Sequence, residues 1–217
     1  MLLASEDWGC SQEALTVAAM CSVQSPLLAL RPSSAASRPG GQMYKEHAEA
    51  MSLFASAEGD HMSLLNIFRL FQENSGGQPG SVDAARAWCD ENFLHHRVLA
   101  RAAELRRNLQ RLVQRALGPD APLCSCGDDS VALRKCIVSG FFGNAAQLEP
   151  NGHYRTVRGG AHVQLHSSSV LARYGAPPEW LVFNDLTHNQ KVPQMRDASR
   201  IDPRWLLELA GHYYSAK

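Results

Sequence analysis

The spacing of apolar side chains shifts along the chain from every third or fourth residue to every second, and the shift falls within Cys136–Leu171. That stretch opens helically, with Ile137, Val138, Phe141 and Phe142 clustered on one side, and breaks at Pro150, Asn151 and Gly152. His153 to Arg158 then alternates like a half-buried strand. Gly159 and Gly160 form a two-residue hairpin turn, and His162 to Leu165 alternates again. Glu179 to Leu186 reads as a further strand. Thr187 to Asp197 reads as a hairpin or bulged strand with Pro193 at its irregularity. Asp202 and Pro203 open a closing helix. Short strands with turn signals over about 50 residues, closed by a helix, predict a small barrel.

Upstream of the shift the pattern is helical. Residues 1–30 predict a short helix, a break at Gly9 and a second helix with Ser11 as N-cap and Glu13 in its first turn. The second helix is apolar on most sides, which implies burial. Another helix runs from Met43 to Ala55. Asp60 caps the next, in which Leu64, Leu65, Phe68 and Phe71 recur at helical spacing. The segments 31–42 and 74–81, rich in Pro, Gly and Ser, read as flexible loops. Val82 to Leu117 carries the strongest helical signal, with Val98, Ala102, Leu105, Leu109, Leu112 and Ala116 marking one side of a long helix. At about 100° per residue, Arg97, Arg101, Arg111 and Arg115 fall within about 80° of one another on a different side, together with Glu104 and Asn108. A fixed row of guanidinium groups suits a phosphate backbone, since each donates a forked pair of hydrogen bonds; the plainer reading is a solvated face. The pattern therefore predicts an α+β chain, with a helical bundle over 1–149 and a barrel over 150–217.

Charge adds a direction to this picture. The formal net charge is +0, yet residues 1–96 hold 5 basic and 11 acidic side chains, a net of −6, while residues 97–217 hold 16 and 10, a net of +6. A polyanion would meet the C-terminal part. At 45% hydrophobic and 19% charged the composition is that of a globular protein, and no apolar run approaches a membrane span. Two acidic residues interrupt the first apolar run, so no secretory signal is expected, and the six cysteines are read as reduced, intracellular thiols. Cys124-x-Cys126 has no second pair at zinc-finger spacing and reads as part of a mobile loop, so no metal site is expected. The sequence has no Gly-x-x-x-x-Gly-Lys-Ser/Thr loop and no Gly-x-Ser-x-Gly elbow. His95 and His96 are adjacent and cannot share a helix face. His166, before three serines, either hydrogen-bonds a phosphate or anchors its own loop. No catalytic residue is expected.

Seven segments, in order, resemble the C-terminal portion of DEAH-box RNA helicases: MLLASEDWGCSQEALTVAAM, EGDHMSLLNIF, WCDENFLHHRVLARAAELRRNL, CIVSGFFGNAAQL, YRTVRGGAHVQLHSSSVL, EWLVFNDL and IDPRWLLELAGHYY. The resemblance covers nearly the whole chain and is nearest to the spliceosome-associated branch. It implies the end of a winged helix, a ratchet-like helical bundle and an OB-fold, in a nuclear protein. The motor domains that bind ATP and Mg in that family match nothing here, so no cofactor is expected in this chain, and a truncated, non-functional fragment is an alternative. The implied partner is single-stranded RNA, gripped through Arg97 and Arg101 of the ratchet segment. Tyr154, Arg155 and Arg158 of the first barrel strand, His166 and Ser168 of the His-x-Ser-Ser loop, and Lys191 and Arg196 of the later hairpin join them. Ser167 and Gly211 stand where the family usually has proline, and the Lys191–Arg196 hairpin lacks the usual aromatic. A glycine-patch activator or spliceosomal protein is the alternative partner.

Overall fold

A computed structural model of the chain describes residues 1–30, 41–75, 81–118, 122–188 and 191–214. After a single 3-10 turn, α1 (Ser11–Cys21) is followed by α2 (Gln42–Phe54), α3 (Asp60–Asn74), α4 (Ser81–Glu91), α5 (His96–Leu117) and α6 (Ser130–Phe141). The strands β1 (Ala145–Leu148), β2 (Tyr154–Thr156) and β3 (His162–Leu165) come next, then a short α7 (Val170–Arg173). The strands β4 (Trp180–Thr187) and β5 (Gln194–Arg200) and the helix α8 (Arg204–Ala210) complete the order. The strands close into a barrel in the order β1-β2-β3-β5-β4, with β3 and β5 parallel and the other pairings antiparallel. The α+β architecture expected from the spacing is present.

Several details differ from the sequence reading. The barrel begins at Ala145, ahead of residue 150, because β1 pairs with both β2 and β4 and the barrel cannot close without it. The turn after β2 is longer than Gly159-Gly160. It spans Val157 to Ala161, with the Thr156 N–H donating to the Ala161 carbonyl and the Ala161 N–H to Thr156 Oγ1. Val82 to Leu117 forms two helices, separated where Phe93 adopts a positive φ of 55° and Leu94 buries its side chain. The loop expectations at 31–40 and 76–80 lie outside the described residues.

The buried stripe of α5 is Leu99, Ala102 and Val113, whereas Leu112 is 56% exposed and Ala116 is also at the surface. The stripe expected through Leu105 and Leu112 is thus rotated, because α5 packs on α1 through small and branched side chains and through Arg106. Arg106 Nε donates to Thr16 Oγ1 at 2.8 Å. Near the start of α1, Cys10 rather than Ser11 occupies the N-cap, and Ser11 is buried. Glu13 is buried too. It accepts from Ser125 Oγ at 2.6 Å, from the Cys126 N–H at 3.1 Å and from Arg69 Nη2 at 3.2 Å. Burial opposes its charge, but the hydrogen bonds from Ser125 and Cys126 outweigh that and hold its carboxyl below the usual range. The Cys124–Cys126 segment is therefore pinned against α1 rather than loose.

Three apolar clusters build the interior. Phe68, Leu94 and Leu99 lie among the helices, and Tyr154, Val163, Leu181, Phe183 and Met195 fill the barrel. The third cluster joins them, with Val17 and Leu65 of the bundle meeting Leu133, Ile137, Val182 and Ile201. This junction explains the run Leu181-Val182-Phe183, all buried: one face of β4 lines the barrel and the other is covered by helices.

The turn Glu58-Gly59-Asp60-His61 seats the bundle on β5. Asp60, the first residue of α3, does not cap its own helix. Its Oδ1 accepts from the Val170 N–H at 2.8 Å and its Oδ2 from the Ala198 N–H at 2.9 Å. Gly59 forms a β-bridge with Ser199 at φ +121°, where an added Cβ would strike the Ala198 carbonyl oxygen and lie 2.6 Å from Ser199 Cα. His61 is fully buried, 2.9 Å from Ser199 Oγ through Nδ1, and burial pulls its pKa down to about 4. Arg134 of α6 pairs with Glu58 at 2.6 Å and donates to the Arg200 carbonyl at 3.2 Å. Beside Asp60, Asp197 takes a positive φ of 52°, a conformation that Asp and Asn tolerate better than most residues, and burial and the Asp60 charge push its pKa up to about 6.

Two outcomes follow from this joint. Replacing Asp60 by Ala strands two backbone N–H groups and should lower unfolding free energy by roughly 2–4 kcal/mol in a denaturant titration; a loss within error of zero would contradict the joint. An acid whose folded pKa is raised takes up a proton on folding, so its contribution falls as pH rises from about 4 to about 6. Asp197→Asn should therefore be more stable than the parent above pH 6, by on the order of 1–2 kcal/mol, with the difference vanishing near pH 4. A difference that does not change with pH would refute this.

Candidate nucleic-acid interface

A groove of about 800 Å³ opens where the bundle meets the barrel. Its bundle wall is the segment Ser25 to Leu30 with Tyr44, His47 and Met51 of α2; its barrel wall is His166, Ser168, Arg173, Tyr174 and Arg196. Each wall is fixed locally. His47 Nε2 lies 3.0 Å from the Leu28 carbonyl, and the Leu28 N–H donates to the Phe93 carbonyl at 2.9 Å, which ties the segment after α1 to α2 and to the α4–α5 link. On the barrel side, Ser169 caps α7 by accepting from the Leu171 N–H, and Arg173 Nε reaches back to the Ser167 carbonyl at 2.9 Å. The Asp60 bond to Val170 holds that same turn in place.

Electrostatics and hydrogen-bonding roles follow from these contacts. The Ser168 N–H donates to His166 Nδ1 at 3.1 Å, so Nδ1 is the acceptor and Nε2 carries the proton of the neutral ring. Burial first, then the Arg196 and Arg173 charges, hold the His166 pKa below its ordinary value. The Ser168 hydroxyl, 2.7 Å from that same Nδ1, donates its proton there, so the donors the barrel wall offers are two guanidinium groups and an imidazole N–H. Tyr44 and Tyr174, 43% and 42% exposed, stand on opposite walls with their rings accessible. Cationic donors between accessible aromatic rings can take phosphates and stack bases at once. Among the described residues, no cluster of three or more His, Cys, Asp and Glu side chains is arranged to share a metal ion.

The residues singled out from the sequence divide into groups. His166, Ser168 and Arg196 meet in the groove. Tyr154 does not: it is 3% exposed, part of the barrel interior, and its hydroxyl donates to the Pro178 carbonyl at 2.7 Å. Burial raises its pKa to about 12. It is a packing residue, a correction to its expected place on the surface. Arg155 faces outward from β2, engaged by Glu149 at 2.5 Å and by the Gly160 carbonyl. Arg158 lies over the Tyr213 ring, 4.2 Å from its centroid. Lys191 is exposed ahead of β5. Arg97, Arg101, Arg111 and Arg115 are exposed along α5, and none lines the groove. The sequence reading missed Tyr44, His47, Arg173 and Tyr174. The Arg173-Tyr174 pair soon after the serine loop was a usable signal, whereas Tyr44 and His47 lie in a helix of weak pattern whose partner wall is distant in sequence.

Comparisons with known proteins bear on this geometry. Residues 1–64 match the profile of the helicase associated domain (HA2), ratchet-like, and residues 133–213 match that of the oligonucleotide/oligosaccharide-binding (OB)-fold. The chain is 39% identical over 215 residues to a human protein named probable ATP-dependent RNA helicase DHX35. It is 38% identical over 215 residues to the protein of that name from Pongo abelii. These alignments take in 99% of this chain but 27% and 26% of the relatives, so the chain spans about a quarter of their length. With its helical bundle, its closed five-stranded barrel and these two matches, the chain carries a ratchet-like helicase-associated domain followed by an OB-fold, and is similar in this to the C-terminal part of DEAH-box RNA helicases.

Proposed function

We propose that the chain binds single-stranded RNA in the groove between bundle and barrel, without regard to base sequence, as the exit-side clamp of a helicase. The observation that carries this reading is the convergence of Arg173, Arg196, His166 and Ser168 with Tyr44 and Tyr174 on one open groove. Guanidinium groups and hydrogen-bond donors would hold the phosphates, and the two rings would stack bases. Phosphates and base faces are common to every nucleotide, so a clamp built on these two contacts would let any sequence slide through.

In this reading the chain has no ATPase or helicase activity of its own. ATP and Mg would then belong to the rest of the longer relatives, of whose length this chain spans about a quarter. A place in the nucleus, on RNA undergoing splicing, is the corresponding cellular proposal and rests on the resemblance of motifs alone. The neutral state of His166 has a consequence: acidification to the point of charging it would add a cation to the groove, so RNA affinity should not fall as pH drops from 7 toward 6.

The test is the affinity of the full 217-residue chain for fluorescent oligouridylate over a series of salt concentrations. Arg173→Ala with Arg196→Ala should weaken binding about tenfold or more and make the slope of log affinity against log salt shallower by about 1.4, some 0.7 for each lost phosphate contact. Arg97→Ala with Arg101→Ala should leave both unchanged. Equal affinity for the parent and the Arg173/Arg196 variant, with matching melting temperatures, would remove the groove from consideration.

A further inference from the structure

The arginine row on α5 is a separate feature. Arg97, Arg101, Glu104, Asn108, Arg111 and Arg115 follow one another at alternating steps of four and three residues, so they form one line down the helix, about 27 Å long. All six are exposed, and the buried stripe of Leu99, Ala102 and Val113 lies on the far side of the helix. Arg101 pairs with Glu104 at 2.6 Å; among the described residues, no carboxylate lies within ion-pair distance of Arg97, Arg111 or Arg115. None of the six lines the groove.

We propose that this face of α5 docks an acidic amphipathic helix of a partner protein, laid along the line. The alternating four-three spacing averages 3.5 residues, the repeat with which two helices keep a seam in register. The charges run plus, plus, minus, neutral, plus, plus. A uniform polyanion such as an RNA strand would meet the Glu104 carboxylate in the middle of its path. A helix can present the complementary order: acidic at four positions, basic opposite Glu104 and neutral opposite Asn108. Along one border lie Leu105, half-buried, Leu112, 56% exposed, and Ala116. They offer apolar area that a partner helix can cover and a phosphate backbone cannot use. The helix has no Phe, Tyr or Trp on which bases might stack. A second copy of the chain does not fit: either orientation sets arginine against arginine at the ends of the seam. This assignment is independent of RNA binding in the groove.

The test uses the full chain and a synthetic helical peptide of about three heptads with Glu at the four outer seam positions, Lys and Gln at the inner two, and Leu along one flank. A control peptide carries the same residues with the seam order permuted. By fluorescence anisotropy, the patterned peptide should bind at least about tenfold more tightly than the control, since specificity requires the repulsive mismatches as well as the matches. Arg111→Glu with Arg115→Glu should abolish that preference, and a peptide with Lys at the two facing positions should restore it, with oligouridylate affinity unchanged throughout. Binding of neither peptide, or of both alike, would overturn the proposal. So would displacement of the peptide by oligouridylate together with loss of oligouridylate affinity in the same double variant, which would make the face a nucleic-acid surface. If that variant melts below the parent, Arg97→Glu with Arg101→Glu makes the same test at the other end of the seam.

Discussion

The Asp60 carboxylate, at the start of a bundle helix, accepts one backbone N–H from the turn before α7 and one from β5, and the seating of bundle on barrel depends on it. A charged group this buried is tolerated because both oxygens are hydrogen-bonded; burial still raises its pKa against those bonds. Gly59 brings the two backbones together closely enough to bridge, and Glu58, Arg134 and His61 fasten the same turn on either side. The apolar junction beneath supplies area without direction, so the polar turn is what fixes orientation.

That orientation creates the groove. Val170, held by Asp60, follows the His166–Ser169 loop, and Ala198, held by its other oxygen, lies two residues beyond Arg196. The bundle therefore grips the barrel from behind the side chains that line the groove. Asp197 sits between Arg196 and Ala198 as part of the same joint, and its pKa is raised by burial first and then by the Asp60 carboxylate beside it. Packing and site are thus coupled: a change at the joint would move His166, Ser168 and Arg196 relative to Tyr44 across the gap.

Much of this was legible in the residues. The change of period located the barrel, the alternation at Tyr154 and His162 located two of its strands, and the serine loop marked one groove wall. Local signals failed where long-range contacts decide the outcome. Asp60 looks like an N-cap, yet its partners lie more than a hundred residues away. Tyr154 looks like a surface contact in a strand of outward arginine, but strand alternation turns it inward. The α5 stripe was misplaced because Arg106 occupies the buried side, so counting apolar residues alone rotates the helix. The opposing groove wall on α2 could not be paired with His166 from spacing, since only the closed fold brings them together.

The ratchet-like bundle and OB-fold, which together span about a quarter of the length of the relatives they match, present two surfaces of different character, an aromatic and cationic groove and a patterned helix face. The most direct test of the central claim is to irradiate the chain bound to a uridine-rich RNA and map the crosslinked residues by mass spectrometry. Adducts are expected on Tyr44, Tyr174 and the His166–Ser168 loop. Adducts confined to α5 or to the outer face of β2, with none in the groove, would contradict that claim.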